Sequence, residues 1–217
     1  EELGLYIKSS SITTHIPHVV LLQHSSEISK KSGTGWLLDD IQYYQYFKDA
    51  SKYDTIQRRM QLSRWIWSGR NDVPKIEREI EQLSDANRAV YLLWTTGAGA
   101  TGMTPEDCRG TEAKASYIIL DGTWQQARTM YRKIPSLWKL PRVSLRGSDA
   151  PASTYVLRGD YSGWRLRFSS AGDGRDLLCT AEVAAVVLDR CGDRTGADVI
   201  RMRLGQFQSS YLNEREG

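Results

Sequence analysis

The residues best able to do chemistry lie in the run Ile119-Leu120-Asp121-Gly122-Thr123-Trp124-Gln125-Gln126-Ala127-Arg128. The four residues before Asp121, Tyr117-Ile118-Ile119-Leu120, are all apolar. Such a run reads as a strand covered on both faces. Gly122-Thr123 reads as a tight turn into a helix. Asp121 therefore stands at the carboxyl end of a strand, where α/β proteins place their ligands. A carboxylate there can hold a cation or take a proton as a general base. The plainer alternative is that Asp121 or Thr123 only caps the helix and that Trp124 is core. The run alone does not choose between them.

Two further stretches could serve a ligand. Leu178-Cys179-Thr180-Ala181-Glu182-Val183 opens an apolar helix, with Thr180 as the expected cap. A helix N-terminus can hold a carboxylate, and it can equally be nothing more than a capped helix. Gly97-Ala98-Gly99-Ala100-Thr101-Gly102 follows an expected strand and matches G-x-G-x-x-G, with Asp121 further on. A dinucleotide site needs a helix directly after those glycines. Residues 103–116 contain Pro105, Gly110 and few large apolar residues, so the helix is missing from the pattern. A loop whose backbone approaches a ligand, or a merely flexible loop, fits better. No G-K-[ST] is present, which excludes a P-loop.

These residues need a scaffold, and hydrophobic periodicity supplies one. His18–Gln23, Arg64–Trp67, Ala89–Trp94 and Tyr117–Leu120 read as strands. Helices are expected from near Thr34, with Thr34 as cap, from Pro74 to Leu83, and from Trp124 to Lys133. Two more are expected from Thr180 to about Cys191 and from Gly196 towards Tyr211. Short strands are expected at Val143–Leu145, Tyr155–Leu157 and Trp164–Phe168. Strands alternating with helices predict an α/β fold, a mostly parallel sheet flanked by helices. At 217 residues the chain is expected to form a single domain, 1–217, with a core that needs no disulfide or metal. Cys108, Cys179 and Cys191 are scattered and odd in number, so they are expected to be free thiols rather than bridges or zinc ligands. No run approaches the length of a membrane span, and a cytoplasmic location is expected.

Charge is unevenly distributed. Residues 128–167 carry nine Lys or Arg against two acids, a surplus of +7 in a chain whose net charge is +3. Trp124, Tyr131, Trp138, Tyr155, Tyr161 and Trp164 are interleaved with those bases. Aromatics beside arginines suit single-stranded RNA, although a solvated basic face would look similar.

Together these segments resemble the DTW-domain family of tRNA-uridine aminocarboxypropyltransferases. Asp121-Gly-Thr-Trp124 with Gln125-Gln126-Ala127-Arg128 resembles the motif that names the family. Leu178–Val183 resembles its later Ser/Cys-Thr-x-Glu segment, and Ser153–Arg158 its Tyr-x-Leu-Arg segment. His24-Ser-Ser-Glu27 and Gly33-Thr34-Gly35 resemble its His-Pro-x-Glu and Asn-Thr-Gly segments, with Ser25 and Gly33 as departures. The resemblance implies a SPOUT-like, knotted core that binds S-adenosylmethionine, with no metal. It implies transfer of the 3-amino-3-carboxypropyl group to N3 of a tRNA uridine, forming acp3U and releasing methylthioadenosine. Asp121 is the implied catalytic residue. Cofactor contacts are implied for Thr96, Gly97, Leu120, Asp121, Thr123, Trp124, Cys179, Thr180, Ala181 and Glu182, and RNA contacts for Arg128, Arg132, Lys133, Arg158, Arg165 and Arg167. The rival expectations are a SPOUT-type RNA methyltransferase and a non-catalytic RNA-binding module; a nucleotide-dependent oxidoreductase is a remote third.

Overall fold

The computed structural model describes residues 17–42, 60–86, 88–94, 114–143, 153–155 and 178–216. In chain order these form β1 (His18–His24), α1 (Leu37–Gln42), β2 (Gln61–Trp67), α2 (Val73–Asp85), β3 (Arg88–Leu93), β4 (Lys114–Asp121), α3 (Trp124–Lys133), α4 (Ser136–Lys139), β5 (Arg142–Val143), α5 (Thr180–Arg190) and α6 (Arg194–Glu216). All strand pairs are parallel, and the sheet order is β2-β1-β4-β3-β5. The fold is α/β, as the alternation of apolar runs predicts.

Apolar residues on successive strand positions are required because helices cover both faces. Val19, Leu21, Tyr91, Leu93, Tyr117 and Ile119 face one layer, built from α1, α5 and α6. Val20, Leu22, Val90, Leu92 and Ile118 face the other, built from α2, α3 and α4. Helix α5 is buried continuously from Ala181 to Leu188. A helix apolar all round must be enclosed, and α5 lies in the first core cluster with α6 residues Ala197, Ile200 and Leu204. Its end is a Schellman turn: Gly192, at φ +92°, donates to Asp189 O, and Asp193 N donates to Leu188 O. Asp193 Oδ1 then accepts from Gly196 N at the start of α6.

Three expectations change. Helix α1 begins at Leu37, not near Thr34, and the Thr34 side chain caps a different helix. The N-cap of α5 is Cys179; Thr180 is its first helical residue, which frees its hydroxyl for another partner. Helix α6 runs from Arg194 to Glu216, longer at both ends than the pattern predicts; Leu212, Asn213 and Glu214 are exposed, so no buried stripe marks its C-terminal end. The glycine pattern 97–102 and the expected strands at Tyr155–Leu157 and Trp164–Phe168 lie, wholly or in most residues, outside the described residues. No helix among the described residues is long and apolar enough to cross a membrane.

The topology itself selects a crevice. The chain leaving β1 runs through α1 to β2, at one edge of the sheet. The chain leaving β4 runs through α3 and α4 on the opposite face, past β3, to β5 at the other edge. β1 and β4 are neighbours, so their outgoing connections diverge and open a gap at their carboxyl ends. That divergence is the usual ligand position of open parallel sheets. It lies at Gln23, His24 and Asp121.

Candidate active site

Gln23 of β1 and Asp121 of β4 are paired in register and point to the α5 side of the sheet. Asp121 is only 6% exposed, and both its oxygens have partners. Gln23 Nε2 donates to Oδ2 at 2.7 Å, and Thr180 Oγ1 donates to Oδ1 at 2.6 Å. Both donors are neutral, and no ion pair to Asp121 occurs among the described residues. Neither bond brings a positive charge to the carboxylate.

The loop before α1 closes one side. A β-carbon on Gly35 would stand 2.7 Å from Asp121 Oδ2 and 3.1 Å from Leu21 Cδ2. Glycine is needed there so that the backbone can approach the carboxylate. The loop cannot easily retreat, because Arg64 Nη2 donates to Gly35 O at 2.7 Å. The same guanidinium holds Asp39 of α1 at 2.9 and 2.7 Å. Thr34 Oγ1 accepts from Ala181 N at 3.3 Å, which satisfies a donor in the first turn of α5. Gly35→Ala would make the clamped carboxylate or the pinned loop yield. We expect a loss of about 1–3 kcal/mol in stability, the usual cost of overpacking, measured by urea titration.

Glu182 takes part differently from the way its motif suggests. Its Oε2 accepts from Cys179 N at 2.7 Å and Ser153 Oγ at 2.8 Å. Its Oε1 accepts from Thr154 N at 2.6 Å and Thr154 Oγ1 at 3.2 Å. Glu182 thus fastens the 153–155 segment to α5. Tyr155 continues the tie by donating its hydroxyl proton to Ser32 O. Cys179 and Ala181 are buried, and their N–H groups are committed to Glu182 and Thr34. Of this motif, Thr180 is the side chain that reaches Asp121.

The opposite wall is the start of α3. Thr123 Oγ1 accepts from Gln126 N at 3.3 Å, and Gln126 Oε1 accepts from Thr123 N at 2.6 Å, a reciprocal capping box. Gln126 Nε2 also donates to Ser26 Oγ at 2.7 Å, which joins α3 to the turn after β1. His24 Nδ1 accepts from Ser26 N at 3.2 Å, so the neutral ring carries its proton on Nε2. Its ring lies 5.4 Å from that of Trp67. His24 is therefore an end-of-strand cap, while Glu27 is buried and pairs with Lys30. Leu120 packs into the second core, away from Asp121.

Trp124 is half-buried in an aromatic group with Trp94 and Tyr131; the centroid distances are 5.8 Å from Trp94 to Trp124 and 4.7 Å from Trp94 to Tyr131. Arg128 Cζ lies 5.9 Å above the Trp124 ring. Arg128, Arg132 and Lys133 are exposed on α3. Trp138, 55% exposed, donates its indole N–H to Tyr131 O, so its ring is fixed beside the same basic surface. Thr96, Gly97, Arg158, Arg165 and Arg167 lie outside the described residues. Among the described residues no cluster of His, Cys, Asp and Glu has the makings of a metal site.

Gln23, the partner of Asp121 on β1, is the residue of this candidate site that sequence reasoning passes over. The signal was present: it is the polar residue that closes the apolar run of β1. A family model described as the DTW domain matches residues 6–212, nearly the whole chain. No solved structure matches it.

Proposed function

The chain belongs to the DTW-domain family, a family tied to tRNA modification, and from that premise we propose that it transfers the 3-amino-3-carboxypropyl group of S-adenosylmethionine to N3 of a tRNA uridine, forming acp3U and methylthioadenosine. One observation carries the reading to this site: a buried Asp121 carboxylate, held by Gln23 and Thr180 without a described counter-ion, at the divergence of β1 and β4. A cationic ligand fits such a site. S-adenosylmethionine would supply the carbon chain already bonded to a good leaving group, its sulfonium sulfur.

Asp121 then has two tasks that follow one another. It balances the positive charge of the bound donor. Transfer turns the sulfonium into a neutral thioether and obliges uridine N3 to give up its proton. Asp121, having lost its counter-charge, is suited to accept that proton, so the charge of the site is conserved through the step. Proton transfer of this kind contributes roughly 10²–10⁴-fold; orientation of the reacting atoms contributes the larger share. Thr180 and Gln23 keep the carboxylate in place, and the loop at Gly35 excludes water from its Oδ2 side.

Arg128, Arg132 and Lys133 are proposed to contact tRNA phosphates, with Arg158, Arg165 and Arg167 of the same basic segment. Arg128→Glu is expected to weaken tRNA binding and to lower the slope of log affinity against log salt by about one. Filter binding across a salt series reads both. An unchanged affinity and slope would remove Arg128 from the footprint.

The reaction is tested by incubating the protein with S-adenosylmethionine and unmodified tRNA and identifying the small product by mass spectrometry. Methylthioadenosine, formed only with RNA, is expected. S-adenosylhomocysteine would make the protein a methyltransferase instead. Neither product, with tight tRNA binding, would make it a non-catalytic RNA-binding module.

A further inference from the structure

We propose that Gln23 is a positioning residue of this site, which sets the plane and height of the Asp121 carboxylate and acts on the donor only through it; the functional consequence rests on the reading above. Gln23 and Asp121 are partners in the β1–β4 register, 98 residues apart in sequence. Gln23 is 8% exposed, and its amide meets Oδ2 at 2.7 Å. The Gly35 backbone approaches the same oxygen: a β-carbon there would stand 2.7 Å from Oδ2. The second clamp, Thr180, comes from α5 and holds Oδ1. One oxygen is thus referred to the sheet and the other to a helix packed on it. A group held from two rigid elements is placed more accurately than one carried by a loop.

The residue type matters as much as the position. A Lys or Arg at 23 would also donate to Oδ2, but it would pair the carboxylate and cancel the charge that a cationic donor needs. A Leu would fill the volume and leave a buried acceptor without its bond, which costs the desolvation of that group. A Glu would place two carboxylates face to face, and one would have to take up a proton. Glutamine gives direction without charge. Its amide orientation is fixed by the same contact, since an ionised Oδ2 can only accept.

The test is a mutant cycle on the full chain with two readouts: urea unfolding without ligand, and S-adenosylmethionine affinity by calorimetry. Gln23→Leu is expected to raise the Kd for S-adenosylmethionine about tenfold or more, the loss expected for one bond to a charged group. In an Asp121→Asn background the same change is expected to leave the Kd where it was. Gln23→Glu with Asp121→Asn exchanges donor and acceptor. It is expected to recover the unfolding midpoint lost in Gln23→Glu alone, yet not the affinity, because the charge then sits one strand away. This swap also serves if Gln23→Leu does not fold. Equal Kd values for the wild type and Gln23→Leu, or equal losses in both Asp121 backgrounds, would overturn the proposal. A folded wild type that binds no S-adenosylmethionine would sink the functional reading instead. Unfolding then decides the role of Gln23: energetic coupling between positions 23 and 121 supports it, and its absence overturns it.

Discussion

Asp121→Asn is expected to raise the Kd for S-adenosylmethionine by roughly 30-fold or more, as removal of one member of a buried charge pair does. Single-turnover transfer at saturating donor is expected to fall by a further 10²–10⁴-fold, roughly the worth of a general base. The fold is expected to survive. An asparagine oxygen can accept from Gln23, and the Thr180 hydroxyl can turn to accept from the new amide. Removing a buried charge that has only neutral partners also relieves a desolvation cost, so the unfolding midpoint should stay level or rise. The pattern to look for is lost binding and lost turnover in a protein at least as stable as the wild type. Intact binding with lost turnover would leave Asp121 as base alone. A fall in stability equal to the loss of binding would make it a structural residue and remove it from the chemistry.

The second large effect is at the other end of the sheet. His18, 2% exposed at the start of β1, lies between Ser116 Oγ at 3.0 Å and Ser63 Oγ at 2.9 Å. Burial, and then the Arg88 guanidinium, push its pKa down from 6.5 to about 4. Arg88 shares the network, donating to Ser116 Oγ at 3.3 Å and Gln61 Oε1 at 3.0 Å. The folded protein therefore holds His18 neutral where the unfolded chain protonates it. The stabilisation is fully present above about pH 6.5 and is lost as pH falls towards 4, because the unfolded state then binds the extra proton. A shift of this size corresponds to about 3 kcal/mol. Urea unfolding between these pH values should show that loss in the wild type and a much shallower one in His18→Gln, whose amide can still donate and accept. Parallel slopes in the two proteins would mean that other groups carry the acid sensitivity.

The scaffold was legible in the sequence because its causes are local. Apolar runs named four of the strands, and the Gly122-Thr123 turn announced the start of α3. Asp121 was legible for the same reason, as the polar residue that ends an apolar strand. What could not be read was everything decided by register and packing. Gln23 meets Asp121 only because β1 pairs with β4, and nothing near residue 23 signals that neighbour. Thr34 looks like the cap of the helix that follows it, yet it caps one 147 residues away. Thr180 looks like a cap and is instead the second clamp on Asp121. His18 reads as the first residue of a strand; its place between two serines depends on the three strand starts that surround it.

Glu182 has a consequence for how such a chain can diverge. Its carboxylate takes donors from Ser153 and Thr154 on one side and from Cys179 on the other. One side chain therefore ties residues 153 and 154 to Cys179. Each doubling of a loop costs only about 0.6 kcal/mol once its ends are held together. Descendants of this protein can change the length of chain between these two ties while the carboxylate proposed as the base stays where it is.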